Sequence, residues 1–299
     1  MAGEFDNRSP NSVENSNEKK SILSTIGVWT GSLPWNGLVF FVIALMGCTG
    51  GNALAITSFN QGVENSKLKQ NDKTIADYTR AIELDPKSAE AYNNRGNAYG
   101  ELNQFDKAIT DYTKAIELVP KSAKAYNNRG IAYGGLEQFD KAILDFTKAI
   151  ELDPKLAGVY RNRGIAYGGL KQHNKAILDF TKAIELDPKL ADAYFNRGNA
   201  YGKLNQYDKA ITDCTKAIEL EPKSALAYKG RGAAYSELGA AYADLQQFDM
   251  AITDFTRAIE LHPKDAETYY NRGVTYFNMG KKKWEAEADF AKSKMLKGN

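Results

Sequence analysis

The chain has 299 residues, of which 39 are Lys or Arg and 37 are Asp or Glu, so its formal net charge is only +2. It lacks the excess of positive charge that neutralises phosphates, and we expect no nucleic-acid partner. The two cysteines, Cys48 and Cys214, and the two histidines, His173 and His262, are far apart in sequence. These counts argue against a disulfide framework and against a metal site. A hydrophobic content of 43% is ordinary and allows a buried core.

The first twenty residues are polar, rich in Asn and Ser, and almost free of large apolar side chains. Such a segment cannot bury enough apolar area to offset the entropy of ordering, so we predict that residues 1–20 are a disordered tail. After Lys20 no charged residue occurs until Glu64, and the most apolar run in this window is Leu38–Met46. We assign residues 21–54 to a hydrophobic segment that acts as a membrane anchor or as a lipoprotein signal.

Three interpretations of this hydrophobic segment stay open. A transmembrane helix over residues 33–56 would have the necessary length of about 20 residues only if its glycines are included. Alternatively, the run Leu45-Met46-Gly47-Cys48 resembles a bacterial lipobox, in which the cysteine becomes lipid-modified after cleavage. The third interpretation is a hydrophobic helix packed on the rest of the chain. The first two tether the chain to a membrane, and the lysines that end the polar tail then favour placing the rest outside the cytoplasm.

From about residue 55 onward the sequence repeats itself. The clearest marker is a proline that recurs every 34 residues, at Pro86, Pro120, Pro154, Pro188 and Pro222. The next, Pro263, follows after 41 residues, which is one period plus seven. A sustained period of this size indicates stacked supersecondary units rather than one closed core.

Each unit reads as two helices joined by a short turn. In residues 89–122, the first half has Tyr92, Gly96 and Tyr99 at steps of three and four, which is typical of one helix face. The second half has the same spacing in a further set of apolar residues, and Pro120 ends it. We name the first helix of each unit helix A and the second helix B.

This unit resembles the tetratricopeptide repeat, whose pattern is W-x2-L-G-x2-Y, then A-x3-F, then P. The matching residues in 89–122 are Tyr92, Gly96, Tyr99, Ala108, Tyr112 and Pro120. The resemblance implies an all-α fold, a right-handed α-solenoid of stacked helix-turn-helix hairpins. We expect seven units, of which the first is degenerate: 55–88, 89–122, 123–156, 157–190, 191–224, 225–265 and 266–299.

Two features of the units predict their packing. Small residues recur where the helices of a hairpin approach each other, glycines such as Gly96 in helix A and alanines such as Ala108 in helix B. Just before the glycine, where the family usually has an apolar residue, six units have Arg, and each of these units also has an Asp in helix B. We predict an Arg–Asp pair inside each hairpin, and a basic stripe for an anionic ligand is the rival interpretation. The pairs are Arg95–Asp111, Arg129–Asp145, Arg163–Asp179, Arg197–Asp213, Arg231–Asp254 and Arg272–Asp289.

The last two units depart from the period. The sixth contains GAAYSEL followed by GAAYADL, a near-duplication over residues 232–245. Because seven residues are almost two helical turns, we predict a helix A that is longer by two turns. Whether the insertion has a role stays open. The seventh unit is more charged and has lost its proline, as expected for a terminal repeat whose outer face meets water.

The resemblance also implies a function, the binding of partner peptides or proteins along helix A, which lines the concave side of such solenoids. The exposed helix A positions that would carry a peptide-binding site are Asn93, Asn97, Asn127, Ile131, Arg161, Ile165, Phe195, Asn199, Lys229 and Tyr270. A second set, the asparagines at 94, 128, 162, 196 and 271, suits either a peptide backbone or local structural bonds. The family's carboxylate clamp for chaperone tails is incomplete, since Ala233 stands where the Asn that accompanies Lys229 should be.

We therefore expect a scaffold or adaptor that binds proteins, with no catalytic residues, no cofactor, no metal and no small-molecule substrate. It is expected to be membrane-associated through residues 33–56 or through lipid on Cys48, with the repeats outside the cytoplasm. The alternative is a soluble or secreted adaptor or assembly chaperone from which an N-terminal signal has been removed.

Overall fold

The computed structural model describes residues 35–242, 244–280 and 282–298, and their side chains from Gly51 onward apart from Tyr242. Fourteen α-helices and no β-strand occur in this part of the chain, which confirms the all-α prediction. In chain order the helices are α1 (Trp35–Lys67), α2 (Asn71–Leu84), α3 (Ala89–Glu101), α4 (Phe105–Leu118), α5 (Ala123–Gly135), α6 (Phe139–Leu152), α7 (Ala157–Gly169), α8 (His173–Leu186), α9 (Ala191–Lys203), α10 (Tyr207–Leu220), α11 (Ala225–Tyr242), α12 (Leu245–Leu261), α13 (Ala266–Met279) and α14 (Lys283–Lys297).

Two compact units divide the described chain between Leu136 and Glu137, in the connection from α5 to α6. In the first unit α1 packs on α2 and α3 on α4, and α2 and α4 also contact the helix that follows. In the second unit α7, α9, α11 and α13 each pack on the next helix, and α6, α8, α10 and α12 each contact the helix that follows. The odd-numbered helices are thus helix A and the even-numbered ones helix B. Each unit is a stack of consecutive tetratricopeptide-type hairpins, as the period predicts.

Local sequence signals set the ends of the helices. Helices α2, α4, α6, α8, α10 and α12 each end two residues before the proline of their repeat. Several helix A segments begin after a serine whose hydroxyl accepts a hydrogen bond from a backbone N–H three residues on, as Ser88 does from Ala91 at 3.3 Å. The turn from helix A to helix B contains one residue with a positive φ of 54° to 58°, at Lys69, Asn103, Glu137, Lys171 and Asn205.

The close approach inside a hairpin joins a helix A glycine to a helix B aromatic ring. A Cβ added to Gly96 would lie 2.7 Å from the ring of Tyr112, and one added to Gly164 would lie 2.6 Å from the ring of Phe180. No larger residue fits without displacing the ring, which confirms the prediction of small residues at this contact. The alanines of helix B are buried beside these rings, at Ala108, Ala142, Ala176, Ala210 and Ala251.

The seven-residue insertion lengthens both helices of its hairpin: helix A is longer, as predicted, but by five residues rather than two turns, and helix B is longer by three. Helix α11 has 18 residues against 13 in α9, while α12 has 17 against 14 in α10. The reason lies in Phe248 of α12, which is buried. A Cβ added to Gly239 of α11 would lie 3.0 Å from its ring. This contact brings the second helix back along the extended first one.

The last helix carries polar residues where earlier helices meet a following hairpin. In α4, Phe105 and Ile109 pack with Ala132 of α5 in one cluster. Counted from the paired aspartate of helix B, the same positions in α14 are Lys283 and Glu287, which are exposed. In α14, charged side chains thus stand where α4 has apolar ones that pack on the next helix.

The predicted tail and most of the predicted hydrophobic segment, including Cys48, lie outside the residues whose side chains are described. Helix α1 begins at Trp35 and continues to Lys67. Within residues 51–298, leaving out 243 and 281, no helix is both long enough and apolar enough to cross a membrane.

Candidate functional site

An arginine of helix A forms a two-pronged ion pair with an aspartate of helix B in each of five hairpins. In the hairpin of α3 and α4, Nε of Arg95 donates to Oδ2 of Asp111 at 2.8 Å, and Nη2 donates to Oδ1 at 2.7 Å. The same two bonds, at 2.7 or 2.8 Å, occur in Arg163–Asp179, Arg197–Asp213, Arg231–Asp254 and Arg272–Asp289. The Arg–Asp hypothesis is confirmed for these five pairs. The sixth, Arg129 with Asp145, falls across the two compact units and stays a prediction.

The remaining guanidinium nitrogen ties the hairpin to the one before it. Nη1 of Arg95 donates to the hydroxyl of Thr79 in α2 at 3.0 Å. Equivalent bonds of 3.0 or 3.1 Å reach Thr113, Thr147, Thr181, Thr215 and Thr256. We call each group of Arg, Asp and preceding Thr a bracket. Sequence analysis missed the threonines, although each lies two residues after a helix B aspartate in the first six repeats.

Tyrosines and the aspartate hold the bracket arginine in its charged form. The guanidinium carbon of Arg95 lies 5.7 Å from the ring centre of Tyr92 and 5.9 Å from that of Tyr99, one turn to either side. The hydrogen bonds that Arg95 donates to Asp111 raise the pKa of Arg95 above its usual value, and burial opposes this effect only in part. The pKa values of Arg163, Arg197, Arg231 and Arg272 are raised for the same cause. The arginines are therefore committed to internal pairs, which disfavours a basic stripe for an anionic ligand.

Predicted peptide-binding residues of the first compact unit form a hydrogen-bonded cluster between α3 and α5. Asn93 is buried, and its Oδ1 accepts from Nδ2 of Asn128 at 3.2 Å. The same amide of Asn128 donates to Oδ1 of Asn97 at 3.0 Å, and the hydroxyl of Tyr112 donates to that oxygen at 2.9 Å. Asn127 is half-buried beside them and donates to Asn128 at 3.3 Å. These asparagines join successive helix A segments.

In the second compact unit Arg161 takes a similar linking role between α7 and α9. Its side chain is buried, and Nη1 donates to Oδ2 of Asp192 at 3.1 Å. Nη2 donates to Oδ1 of Asn162, also buried, at 3.0 Å. The amide of Asn196, from the second asparagine set, donates instead to the backbone carbonyl of Asp192 at 2.8 Å. A peptide could reach Arg161 only by displacing these contacts.

Lys229 links α11 to the start of α13. Its ammonium group lies 3.1 Å from Oδ2 of Asp265 and 3.2 Å from Oε2 of Glu267. The hydroxyls of Ser236 and Thr275 meet 2.9 Å apart between the same two helices. Although burial alone would raise the pKa of Asp265, its bonds to a threonine and to Lys229 lower that pKa below its usual value. Lys229 is thus occupied by acidic partners of the next hairpin, which gives a second reason against a carboxylate clamp.

Phe195 fills a space that two neighbouring substitutions leave. Cys214 stands where other repeats have a helix B aromatic ring, and Gly230 stands where they have the second-set asparagine. A Cβ added to Gly230 would lie 3.2 Å from the ring of Phe195, 3.2 Å from Oδ1 of Asn199 and 3.3 Å from the sulfur of Cys214. The ring of Phe195 is therefore half-buried and part of the packing between α9 and α11. Burial raises the pKa of the Cys214 thiol to about 12.

The ten predicted positions thus differ in exposure, and the expectation that all are exposed is wrong for Asn93, Arg161 and Ile165. The first two are covered by their inter-repeat partners, and Ile165 is buried in a cluster with Phe180. Only two of the ten are exposed, Asn199 and Tyr270, the latter at 49%. The other five are half-buried: Asn97, Asn127, Ile131, Phe195 and Lys229.

His173 is one of the two histidines of the chain. His173 replaces a helix B aromatic, and its pKa is lowered by burial and by the nearby charges of Lys203 and Lys171. Among the described residues, no three His, Cys, Asp or Glu side chains are grouped so as to hold a metal ion.

Two protein-family models match the repeats of this chain. One family model, described as the tetratricopeptide repeat, matches residues 89–122, 123–156 and 191–224. A second, described as the TPR repeat, matches residues 67–103, 169–205 and 239–280. The chain belongs to the tetratricopeptide repeat family.

Solved structures with the same fold include several repeat proteins, whereas no curated protein matches the chain. A tetratricopeptide repeat protein from Parabacteroides merdae superposes with a TM-score of 0.65 at 20% identity, over 83% of this chain and 94% of its own. The protein MamA has a TM-score of 0.51 at 28% identity, over 57% of this chain and 94% of its own. YrrB, a TPR protein with an unusual peptide-binding site, has a TM-score of 0.50 at 26% identity, over 64% of this chain and 95% of its own.

Proposed function

We propose that this protein is an interaction scaffold that binds an extended segment of a partner protein along helix A of α9, α11 and α13. The family is one of protein-interaction scaffolds and is generally non-enzymatic. YrrB, similar to this chain over about two thirds of it, has a peptide-binding site by its description. Binding on helix A is our proposal for this chain, and we propose no catalytic activity for it.

The observation that carries the proposal is the contrast between the bracket residues and the exposed residues of helix A. The bracket residues recur almost unchanged from hairpin to hairpin, and their charged groups are paired with one another inside the protein. At the corresponding helix A positions the residues differ: Asn199 in α9 and Tyr270 in α13 are exposed, while Ala233 in α11 and Val274 in α13 are half-buried. A surface whose side chains change along the stack is suited to distinguish one peptide from another. The half-buried Phe195 and Lys229 border it.

A selection from a random peptide library against the full chain tests this proposal. We expect peptides that bind the unmodified chain and lose most of their affinity to an Asn199→Ala/Tyr270→Ala variant. A matched control is Leu178→Thr, which alters a side chain of helix B that is 70% exposed and should leave binding unchanged. Equal affinity for all three chains would reject the helix A surface. Alanine at Asn93, Arg161 or Lys229 would be a poor test, because each of these residues links two hairpins.

We further propose that residues 33–56 or a lipid on Cys48 tether the scaffold to a membrane with the repeats outside the cytoplasm. The support is the uncharged, apolar sequence of this segment and its resemblance to a lipobox. Labelling cells with a fatty-acid probe separates the two anchors, since only the lipoprotein loses the label on Cys48→Ala. A chain that is neither labelled nor recovered with membranes would favour the alternative, a soluble or secreted adaptor.

A further inference from the structure

The exposed face of the last helix, α14, carries an apolar stripe. Trp284 is 83% exposed and Met295 is 62% exposed. Ala288 and Ala291 are exposed between them. These four residues follow one another at steps of four, three and four, so they lie on one side of the helix. We call them the α14 stripe.

The stripe lies opposite the face that holds α14 in the fold. Ala286, Asp289 and Ser293 are buried, and Asp289 is in the bracket with Arg272 of α13. The stripe can therefore contact something outside the molecule without any change in how the helix is packed.

At the two ends of the stripe, the same positions in the other helix B segments are polar or acidic. Counted from the paired aspartate or its equivalent, the position of Trp284 holds Asp72, Asp106, Asp140, Asn174, Asp208 and Asp249. The position of Met295 holds Glu83, Glu117, Glu151, Glu185, Glu219 and Glu260. Random substitution of acidic residues that face water would leave polar side chains at most of these positions. In α14 both are large and apolar instead, and the helix lacks the two acids that most of its predecessors have at these positions.

Lysines border the stripe on both sides. Lys283 and Lys294 lie on one edge and Lys292 on the other, and the side chain of Lys283 is 85% exposed. In earlier repeats the lysine equivalent to Lys292 is paired with the glutamate three residues on, as Lys114 is with Glu117 at 2.9 Å. In α14 that glutamate is Met295, so the positive charge is kept and its acidic partner is replaced. Two exposed acids, Glu285 and Glu287, do not balance the lysines of this helix.

We propose that the exposed face of α14 binds the surface of an anionic lipid bilayer. Tryptophan has its lowest free energy at the boundary between headgroups and acyl chains, and a methionine on the same side adds apolar area there. Lysines at both edges of the stripe reach anionic headgroups, each contributing on the order of 1 kcal/mol near such a surface. The stripe lies on the convex surface of a helix and has charged residues on both sides. It therefore suits a flat charged surface better than a narrow apolar groove.

The test uses the full chain with Trp29→Phe and Trp35→Phe, which leaves Trp284 as the only tryptophan. Its fluorescence then reports on α14 even if another segment also binds lipid. With vesicles of phosphatidylcholine and phosphatidylglycerol, we expect the emission to shift to shorter wavelength and to be quenched by brominated acyl chains. With phosphatidylcholine alone we expect neither change. Lys283→Gln and Lys294→Gln should each weaken the partition coefficient about fivefold, and Met295→Glu should weaken it further.

Leu178→Thr in the same background is the matched control, because it removes an apolar side chain that is 70% exposed on another helix B. It should leave the response of Trp284 unchanged. Lys283, Lys294, Met295 and Leu178 are all exposed. Circular dichroism checks that each variant retains its helix content. The proposal is overturned if the emission of Trp284 is the same with and without anionic vesicles, or if Leu178→Thr weakens the response as much as Met295→Glu does. The first result would point to a protein partner or to no partner for the stripe.

Discussion

Removing one bracket arginine should lower the free energy of opening of its hairpin far more than removing an exposed charge does. Arg197→Met deletes two charge-assisted hydrogen bonds to Asp213 and one to Thr181, and leaves the Asp213 carboxylate, which is only 7% exposed, without its cation. Breaking a buried ion pair from one side costs about 3–5 kcal/mol. Because the Arg197 side chain is still 17% exposed to water, we expect a loss near the lower limit, about 3 kcal/mol.

Hydrogen–deuterium exchange of the full chain is the suitable assay, since a repeat array can open locally and a single unfolding free energy is then poorly defined. A loss of about 3 kcal/mol corresponds to exchange roughly 10²-fold faster. It should be concentrated in α8, α9 and α10. The matched control is Lys182→Met, which breaks an exposed pair with Glu185 and should change exchange little. If Arg197→Met accelerates exchange no more than Lys182→Met does, the bracket does not stabilise the stack.

A second substitution distinguishes the paired charge from the space that it fills. Arg197→Met combined with Asp213→Leu removes both charges and leaves apolar groups of similar size. We expect exchange in α9 and α10 to return most of the way to that of the unmodified chain, because a buried pair replaced on both sides is often neutral in stability. If amide exchange in the double variant is as fast as in Arg197→Met alone, the guanidinium stabilises the hairpin through its other contacts.

Three further outcomes follow from packing, backbone geometry and burial. Gly164→Ala should destabilise the chain by about 1–3 kcal/mol in urea unfolding, because the new Cβ would meet a buried ring at 2.6 Å. Gly202→Ala should stabilise the chain by up to ~1 kcal/mol, because no atom lies within 4 Å of the added Cβ and Ala favours a helix. Lys171→Gly should raise the urea midpoint, since φ is 57° there; a lower midpoint would contradict this. In a Cys48→Ser chain, Cys214 should resist thiol reagents at pH 8 until urea is added, because its pKa is about 12; rapid labelling without urea would refute its burial.

Much of the fold follows from the sequence because the same signals recur in register. One proline every 34 residues fixes the helix B ends, and one Arg and one Asp per unit predict an ion pair that the structure contains in five hairpins. The bracket threonines had the same recurrence, so sequence alone was sufficient to find them. The insertion was misjudged because periodicity gives the number of added residues but not how Phe248 and Gly239 divide them between two helices.

Exposure of individual helix A residues could not be predicted from the repeat, since it depends on what the next hairpin supplies. Asn93 is buried because Asn128 follows it, and Arg161 is buried because Asp192 follows it. Tyr270 of α13 is 49% exposed. At Phe195 the outcome depends on changes at Cys214 and Gly230, both in later helices. The pattern within one unit contains none of this information.

Site-specific photo-crosslinking in cells tests the proposed interaction surface most directly. A benzophenone amino acid placed at Asn199 on helix A, or at Leu178 on helix B, replaces a side chain that is exposed in both cases. We predict that Asn199 yields crosslinks to a discrete partner protein and that the yield falls when a peptide selected against the chain is added. Leu178 should yield no such product. Crosslinks of the same partner and the same yield at Leu178, or none at Asn199, would contradict binding along helix A.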